Sequence, residues 1–256
     1  MRMKLQLRLF AVASLALLNA PVSSADPDYE AMFSLRTSAG FSNALEASQV
    51  ELSNDPNNGL AWAVSALVYA NGVDFLGMTP AEAREGMDRA LAEAFRLDAQ
   101  GAYTRAAYGL IRQTEDPENA ERKLRECIED TPEFLECHNL YGDMLRKTNR
   151  LEQAEYIYQR ALERWPYDGE LLVSYALQLQ ETGRVSEALQ MLRSLAAEQS
   201  AFPRGHWHLA TMLYETGGDL AESRQAAVRA LELDPLIWNG ELFMRMLDQP
   251  ENGRDR

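Results

Sequence analysis

Apolar residues recur along the chain at spacings of three and four positions, the pattern of helices that bury one face. A sustained alternation of apolar and polar residues, which would indicate strands, is missing from the sequence. We therefore predict an all-α protein. The predicted helices lie near residues 28–37, 41–53, 58–71, 80–98, 100–113, 117–130, 133–147, 151–164, 168–182, 185–199, 203–216, 219–233 and 237–247.

Residues that start and stop helices support these boundaries. The motif Thr79-Pro80-x-Glu82 combines a capping box with Pro at the first helical position. Two further motifs, Asn149-x-x-Glu152 and Asp219-x-x-Glu222, also match a capping box. Glycines at 183 and 217 follow predicted helices, where a left-handed residue commonly ends a helix.

The predicted helices repeat with a period of 34 residues, which indicates an array of similar helical hairpins. Small residues recur at this period and allow two helices to approach closely, whereas bulky residues recur beside them and fill the remaining space. The small residues are Gly142, Ala154, Ala161, Ala176, Ala188 and Ala210. The bulky residues are Tyr141, Leu145, Tyr158, Tyr175, Leu179 and Leu192.

This arrangement resembles the tetratricopeptide repeat (TPR), in which a small residue late in the first helix is followed by Ala, an aromatic residue, Ala and Pro. The resemblance covers about residues 55–235 and is strongest over 135–167, which ends at Pro166. It implies a right-handed superhelical solenoid of antiparallel helix pairs. We expect about five to six repeats plus a C-terminal capping helix within 26–248, followed by a disordered tail at 249–256.

A finer resemblance concerns the repeats from 44 to 166. They are similar to the repeat region that follows the DNA-binding or cyclase domain of some bacterial transcriptional activators and adenylate cyclases. The shared features are Asn54-Asp55-Pro56, an insertion before Thr79-Pro80, and the turn Glu115-Asp116-Pro117. No DNA-binding or cyclase domain accompanies the repeats here, so the resemblance implies only a sensing or docking role.

The first 25 residues have the composition of a signal peptide. Basic residues precede an uncharged apolar run at 9–18, and Ser23 and Ala25 occupy the −3 and −1 positions of a cleavage site. We predict export to the periplasm and no membrane insertion after cleavage; a retained membrane anchor is the alternative. A lipoprotein is disfavoured, because no Cys lies near the cleavage site.

The charge balance narrows the choice of partner. The chain has 39 acidic residues and 25 Lys plus Arg, a formal net charge of −14. Nucleic acids and anionic membrane surfaces attract clustered basic residues, so neither is the expected partner. A protein or peptide remains the expected partner.

The TPR resemblance implies that the first helix of each hairpin lines a concave groove. The expected groove residues are Thr104, Tyr108, Ile111, Asn139, Asp143, Arg146, Val173, Leu177, Gln180, Trp207, Thr211 and Tyr214. Among them we favour Tyr108, Asn139, Arg146, Trp207 and Tyr214, because large residues with directional polar groups dominate binding energy. The alternative is that they cover the seam between helices. The family's two-carboxylate clamp for C-terminal peptides is absent from the corresponding positions.

The insertion at 71–79 places apolar residues in a predicted loop. Phe75, Leu76 and Met78 lie there between glycines. Such residues either fold back onto the solenoid, which we expect, or form a docking loop for a partner.

The cysteines and histidines leave one question open. Cys127 and Cys137 flank a predicted turn, and they either form a disulfide or remain two buried thiols.

His138 and His206 are two repeats apart, which is typical of packing, and His208 lies on a different helix face from His206. We therefore expect no metal site.

No catalytic motif accompanies the repeats: the sequence has no His-Glu-x-x-His, nucleophile elbow or phosphate loop. We predict an exported, non-catalytic TPR scaffold, without a cofactor, that binds a protein or peptide in the cell envelope. The alternatives are a self-associating structural subunit and, as the less favoured one, a helical-repeat enzyme. The sequence leaves the oligomeric state open.

Overall fold

The computed structural model describes residues 27–34, 36–237 and 239–248. These residues form fourteen α-helices and no strand, so the all-α prediction is confirmed. The predicted signal peptide at 1–25 and the predicted tail at 249–256 lie outside them. The helices are α1 (Tyr29–Ser34), α2 (Ser38–Asn54), α3 (Gly59–Ala70), α4 (Gly72–Leu76), α5 (Pro80–Asp98), α6 (Ala102–Arg112), α7 (Pro117–Asp130), α8 (Leu135–Lys147), α9 (Leu151–Arg164), α10 (Gly169–Glu181), α11 (Val185–Glu198), α12 (Pro203–Glu215), α13 (Leu220–Leu233) and α14 (Gly240–Leu247).

The helices pack as stacked antiparallel hairpins. Five regular hairpins follow one another: α3 with α5, α6 with α7, α8 with α9, α10 with α11, and α12 with α13. The first helices also contact one another in chain order, from α3 through α6, α8 and α10 to α12. This stacking forms the predicted right-handed superhelical solenoid, with α1 and α2 at its N-terminal end and α14 against α13.

Glycines in the first helices interlock with bulky residues in the second. A Cβ atom on Gly142 would lie 2.5 Å from Cε1 of Tyr158, and one on Gly109 would lie 2.4 Å from Cγ of Leu124. Tyr158 and Leu124 are both fully buried. The helices of these two hairpins can therefore approach closely only because Gly109 and Gly142 lack a side chain.

Two of the three predicted capping motifs cap a helix in the structure. Thr79 and Glu82 form the expected capping box, and Asp219 accepts hydrogen bonds from the amides of Ala221 and Glu222. The prediction for Asn149 is wrong: its φ is 58°, so it ends α8 in the left-handed conformation, and Arg150 is the residue that precedes α9. Asn tolerates this conformation better than most residues.

The insertion at 71–79 is more ordered than a loop. It contains the short helix α4, which ends at Gly77 in the left-handed conformation with φ 61°. Phe75 is 6% exposed, and its ring stacks on Phe41 of α2 with 4.4 Å between the centroids. Leu76 packs against the same apolar cluster, and Met78 is half-buried. The insertion thus packs back onto the solenoid, and Phe75 is unavailable to a partner in this arrangement.

A disulfide joins Cys127 of α7 to Cys137 of α8, with 2.02 Å between the sulfur atoms. Both residues are fully buried. The bond links two successive hairpins across the turn at 131–134, in the middle of the repeat array. Of the two arrangements that the sequence leaves open, the structure has the covalent one.

The N-terminal segment, comprising residues 27–34 and 36–41, contacts the far end of the solenoid. Asp234, which follows α13, is 4% exposed. Its carboxylate accepts hydrogen bonds from the backbone amide of Ser38 at 2.9 Å and from the Ser38 hydroxyl at 2.9 Å. These two residues are 196 positions apart, so the hairpins between them must curl far enough to bring the ends together.

Within the described ranges, no helix combines the length and the apolar composition that a bilayer span requires.

Removing the disulfide should destabilise the solenoid. Closing a chain loop across 10 positions restricts the unfolded state and stabilises the folded one by about 2–3 kcal/mol. We therefore expect the double variant Cys127→Ala plus Cys137→Ala to lose about this free energy of unfolding in urea titrations. Wild-type protein measured with reductant is the control and should match the variant. Equal stability of the oxidised protein and the variant would contradict the prediction.

The contact between Ser38 and Asp234 should hold the N-terminal segment in place. Ser38→Ala removes one buried hydrogen bond and leaves part of the carboxylate unsatisfied, which costs about 1–2 kcal/mol. We expect faster amide hydrogen exchange in α1 and unchanged exchange in α9. Ser53→Ala is the matched control, because this exposed hydroxyl bonds only within its own helix. Unchanged exchange in α1 of the Ser38 variant would show that the segment is held by other contacts.

Candidate binding site on the concave surface

The first turns of successive first helices place charged residues at one repeated position. Glu136, Glu170 and Arg204 are each 34 positions apart, at the second residue of α8, α10 and α12. Glu170 and Arg204 form a salt bridge of 2.7 Å between adjacent hairpins. These residues belong to the concave surface, because the first helices form the inner layer of the solenoid.

The N-terminal segment lies over this surface. Arg36 is ion-paired with Glu136 of α8, and both side chains are largely buried. The ring of Tyr29 meets that of Tyr103 in α6 edge-on, with 6.5 Å between their centroids. The groove that the repeat implies is therefore partly covered by the chain itself, a feature that the sequence patterns do not predict.

A cavity of about 410 Å³ remains between the N-terminal segment and the inner helices. Its lining combines aromatic and aliphatic side chains with acidic ones. The apolar lining residues are Ala31, Phe33, Leu67, Tyr103, Phe134, Leu135 and Trp165. The charged and polar lining residues are Asp28, Glu30, Ser34, Arg36, Glu133, Glu136, Asn139, Asp168 and Glu170.

The electrostatic field in the cavity favours positive charge. Burial opposes the charge on Arg36, but the carboxylates of Glu136 and Glu170 outweigh it and raise the pKa of the guanidinium. Burial raises the pKa of the Tyr103 hydroxyl, and nearby carboxylates, above all Glu30, raise it further. Burial likewise raises the pKa of Asp168. Each shift has the direction expected where negative charge is concentrated and water is scarce.

Asn139 lines the cavity and has an unsatisfied hydrogen-bond acceptor. The residue is 4% exposed, and its Oδ1 atom is buried without a hydrogen-bond partner. A buried acceptor of this kind costs about 1–3 kcal/mol, so a ligand that donates a hydrogen bond to it would recover that free energy. Asn139 is one of the five groove residues expected from the sequence, and it lines the cavity.

Trp207 and Tyr214 are covered by the C-terminal helix. Both rings meet Phe243 of α14 edge-on, at centroid distances of 5.2 and 5.4 Å. Trp207 is only 7% exposed. In this structure the two residues hold the capping helix on the last hairpin, and a partner would have to displace α14 to reach them.

Arg146 lies on the inner side of α8 but is held by acidic neighbours. It is paired with Asp143, at 3.3 Å, and with Glu181 of the next hairpin. Asp143 also accepts a hydrogen bond of 2.7 Å from the Tyr158 hydroxyl. The guanidinium therefore bridges two hairpins, and a partner would compete with these pairs.

Tyr108 does not face the groove, contrary to the expectation. Its hydroxyl donates to Asp116 at 2.8 Å, and its ring lies 5.5 Å from that of Phe95 in α5. It thus contacts the outer helices. The expected groove positions of α6 follow from taking Ala107 as the counterpart of Gly142. They are two positions out of register, because Gly109 is the residue that interlocks with the second helix. The corrected register places Tyr103 on the concave surface.

The histidines have structural roles consistent with packing. His138 donates to the carbonyl oxygen of Pro132 at 3.1 Å, and His206 donates to that of Ser200 at 3.2 Å, in equivalent places two repeats apart. Among the residues that the structure describes, no cluster of three or more His, Cys, Asp or Glu side chains is arranged to hold a metal ion.

Comparisons with known proteins support the repeat assignment. The family model for the tetratricopeptide repeat matches residues 110–169 and 176–236. No curated protein matches the sequence significantly. Among solved structures, the type IV pilus biogenesis factor PilW is similar over 82% of this chain and 91% of its own, with 14% identity and a TM-score of 0.57.

Two other solved structures have the same fold. A thermophilic TPR protein of Thermus thermophilus matches 65% of this chain and 91% of its own, with 16% identity and a TM-score of 0.58. Human IFIT1, crystallised with m7Gppp-AAAA, matches 75% of this chain with 17% identity and a TM-score of 0.61; this chain covers 46% of IFIT1. With its 34-residue hairpins, its interlocking small and bulky residues and the family model that matches residues 110–169 and 176–236, this chain contains tetratricopeptide repeats.

Proposed function

We propose that the protein is an exported, non-catalytic TPR scaffold that binds a protein or peptide partner in the cell envelope. The observation that carries this proposal is the cavity on the concave surface, which combines apolar walls with the unsatisfied acceptor of Asn139. Apolar cavities with a few directional polar groups are typical binding sites. TPR domains as a class bind proteins or peptides, which fits such a surface.

The composition of residues 1–25 supports the envelope location. A basic start, a short apolar run and small residues at the cleavage positions are typical of export to the periplasm. The fold shared with a type IV pilus biogenesis factor agrees with a role in an envelope assembly. The finer resemblance to the repeats of transcriptional activators and adenylate cyclases stays a prediction.

The charge distribution argues for a protein rather than an RNA partner. The IFIT1 structures contain short capped or triphosphorylated RNAs. RNA binding requires basic side chains against the phosphates, whereas this chain has a net charge of −14 and an acidic cavity. Electrostatic repulsion therefore disfavours the binding of nucleic acid, whereas attraction favours partners that carry positive charge.

Blocking the cavity should abolish partner capture. Ala31 lines the cavity and is exposed, so Ala31→Trp fills the opening without burying a new group in the core. We expect at least about a tenfold loss of the partner that co-purifies with tagged full-length protein from the cell envelope. Ala197→Trp is the matched control on an exposed face of α11 and should retain the partner. Equal recovery with both variants, at equal melting temperatures, would refute binding at this surface.

A second candidate function is self-association through the C-terminal end. Leu236 is 61% exposed and Leu242 is 52% exposed, close together in the chain around α14. Exposed apolar residues at the end of a solenoid can contact a second copy, since only capping residues with a polar outer face close the array.

Light scattering at two protein concentrations tests self-association. If the second function holds, the mass rises with concentration, and Leu236→Ser plus Leu242→Ser returns it to the monomer value because the apolar contact is lost. The paired substitution Val50→Ser plus Val73→Ser removes exposed apolar groups away from the C-terminal end and serves as the control. A monomer mass at both concentrations would exclude this function.

A further inference from the structure

We infer that the cavity recognises the cationic side chain of an Arg- or Lys-bearing peptide. This inference rests on the proposed function and names the chemistry of the partner. It combines three features of the described residues: an excess of carboxylates, an unsatisfied buried acceptor, and aromatic walls that suit an aliphatic stem with a charged end.

Carboxylates outnumber cations in the cavity lining. Among the described lining residues there are six acidic side chains and one basic side chain, that of Arg36. The acidic residues are Asp28, Glu30, Glu133, Glu136, Asp168 and Glu170. A second cation entering the cavity would therefore meet net negative charge in a partly dehydrated space, where electrostatic attraction is stronger than in water.

Four of these carboxylates already have structural partners. Glu136 is paired with Arg36, and Glu170 is paired with Arg204. The other two accept from backbone amides: Asp28 from Ala31 at 2.9 Å and Asp168 from Leu171 at 2.9 Å.

The two remaining carboxylates are available to a ligand. Within the part of the chain that the structure describes, Glu30 and Glu133 form no ion pair, and both are exposed. They therefore lie where an incoming cation would meet them before it enters the cavity.

The unsatisfied Oδ1 of Asn139 is the second, independent observation. An amide oxygen requires an N–H or O–H donor, and ammonium and guanidinium groups are donors without any acceptor. An anionic or purely apolar ligand would leave Oδ1 unpaired. The buried end of the site thus accepts a donor, a requirement that the ammonium and guanidinium groups favoured by the acidic residues also meet.

The walls of the cavity suit the rest of such a side chain. Phe33, Phe134 and Trp165 provide apolar surface on which the methylene stem of Arg or Lys can pack. Aromatic faces also attract cations within about 6 Å of the ring centre. Arg36 shows that a guanidinium is accommodated here, since it already occupies one side of the cavity against Glu136.

A free polyamine carries the same ammonium groups as a Lys side chain, so the experiment must distinguish peptide binding from polyamine binding. The full-length protein is titrated at low ionic strength with three ligands: a capped peptide of one Arg flanked by alanines, the same peptide with Glu in place of Arg, and spermidine. Chemical shifts of the Asn139 side-chain amide report binding at the site. We expect saturable shifts with the Arg peptide and none with the Glu peptide.

Variants test where the peptide binds. Glu30→Gln plus Glu133→Gln removes two exposed charges and should weaken Arg-peptide binding by about fivefold or more at low salt. Glu46→Gln plus Glu129→Gln makes the same change in net charge at exposed positions outside the cavity and should change binding by less than about twofold. Asn139→Leu lacks the reporting amide, so its binding is measured by titration calorimetry; it should bind the Arg peptide at least about fivefold more weakly, with a melting temperature unchanged or higher, because it removes an unsatisfied buried oxygen.

Three results would overturn the inference. They are equal binding of the Arg and Glu peptides, equal weakening by both charge variants, and spermidine binding as tight as the Arg peptide at the same residues. The proposed function is judged separately: if Ala31→Trp loses the envelope partner but Glu30→Gln plus Glu133→Gln retains it, the groove binds a partner whose recognition is not cationic.

Discussion

Close packing of a glycine or alanine in one helix against a large residue in the next is the constraint on which the stacked fold depends. Gly109 accommodates Leu124, and Gly142 accommodates Tyr158, at distances that any added side-chain carbon would violate. Alanines at the equivalent positions of later hairpins are fully buried. Because a single hairpin cannot cover its own apolar face, each one is stabilised by its neighbours, and the stacked array creates an inner surface.

The curvature of the stacked hairpins determines how far the inner surface is enclosed. It brings Ser38 within hydrogen-bonding distance of Asp234, and it brings Arg36 against Glu136. The N-terminal segment then forms one wall of the cavity and the inner helices form the other. A surface that would be an open groove in a straighter solenoid becomes a partly enclosed acidic site, in which apolar walls strengthen the electrostatic interactions.

Much of the fold follows from local sequence patterns. Helix positions are predicted closely because periodicity, Pro80 and the capping box at Thr79 act over a few residues. Asn149 is misassigned because Asn is favoured both before a helix and in the left-handed conformation after one. The register of α6 is missed because Ala107 and Gly109 are both small, and only the contact with Leu124 distinguishes them.

The site is less predictable than the fold because its contacts are long-range. Asn139 follows from the repeat register alone. Tyr103 is missing from the expected groove residues because the register of α6 is predicted wrongly. The N-terminal segment covers the groove through the contact of Arg36 with Glu136, which is 100 positions away. No local pattern encodes such a contact. Trp207 and Tyr214 are placed on the inner helices correctly, but their contact with Phe243 depends on how α14 docks.

The most direct test of this account is whether the N-terminal segment lies on the concave surface in solution. Nuclear Overhauser spectra of protein with selectively labelled tyrosines measure this at the ring pair Tyr29 and Tyr103. We predict cross-peaks between the two rings and a dispersed Tyr29 resonance. Random-coil Tyr29 shifts without a cross-peak to Tyr103 would mean that the groove is open, and the enclosed acidic site would not exist.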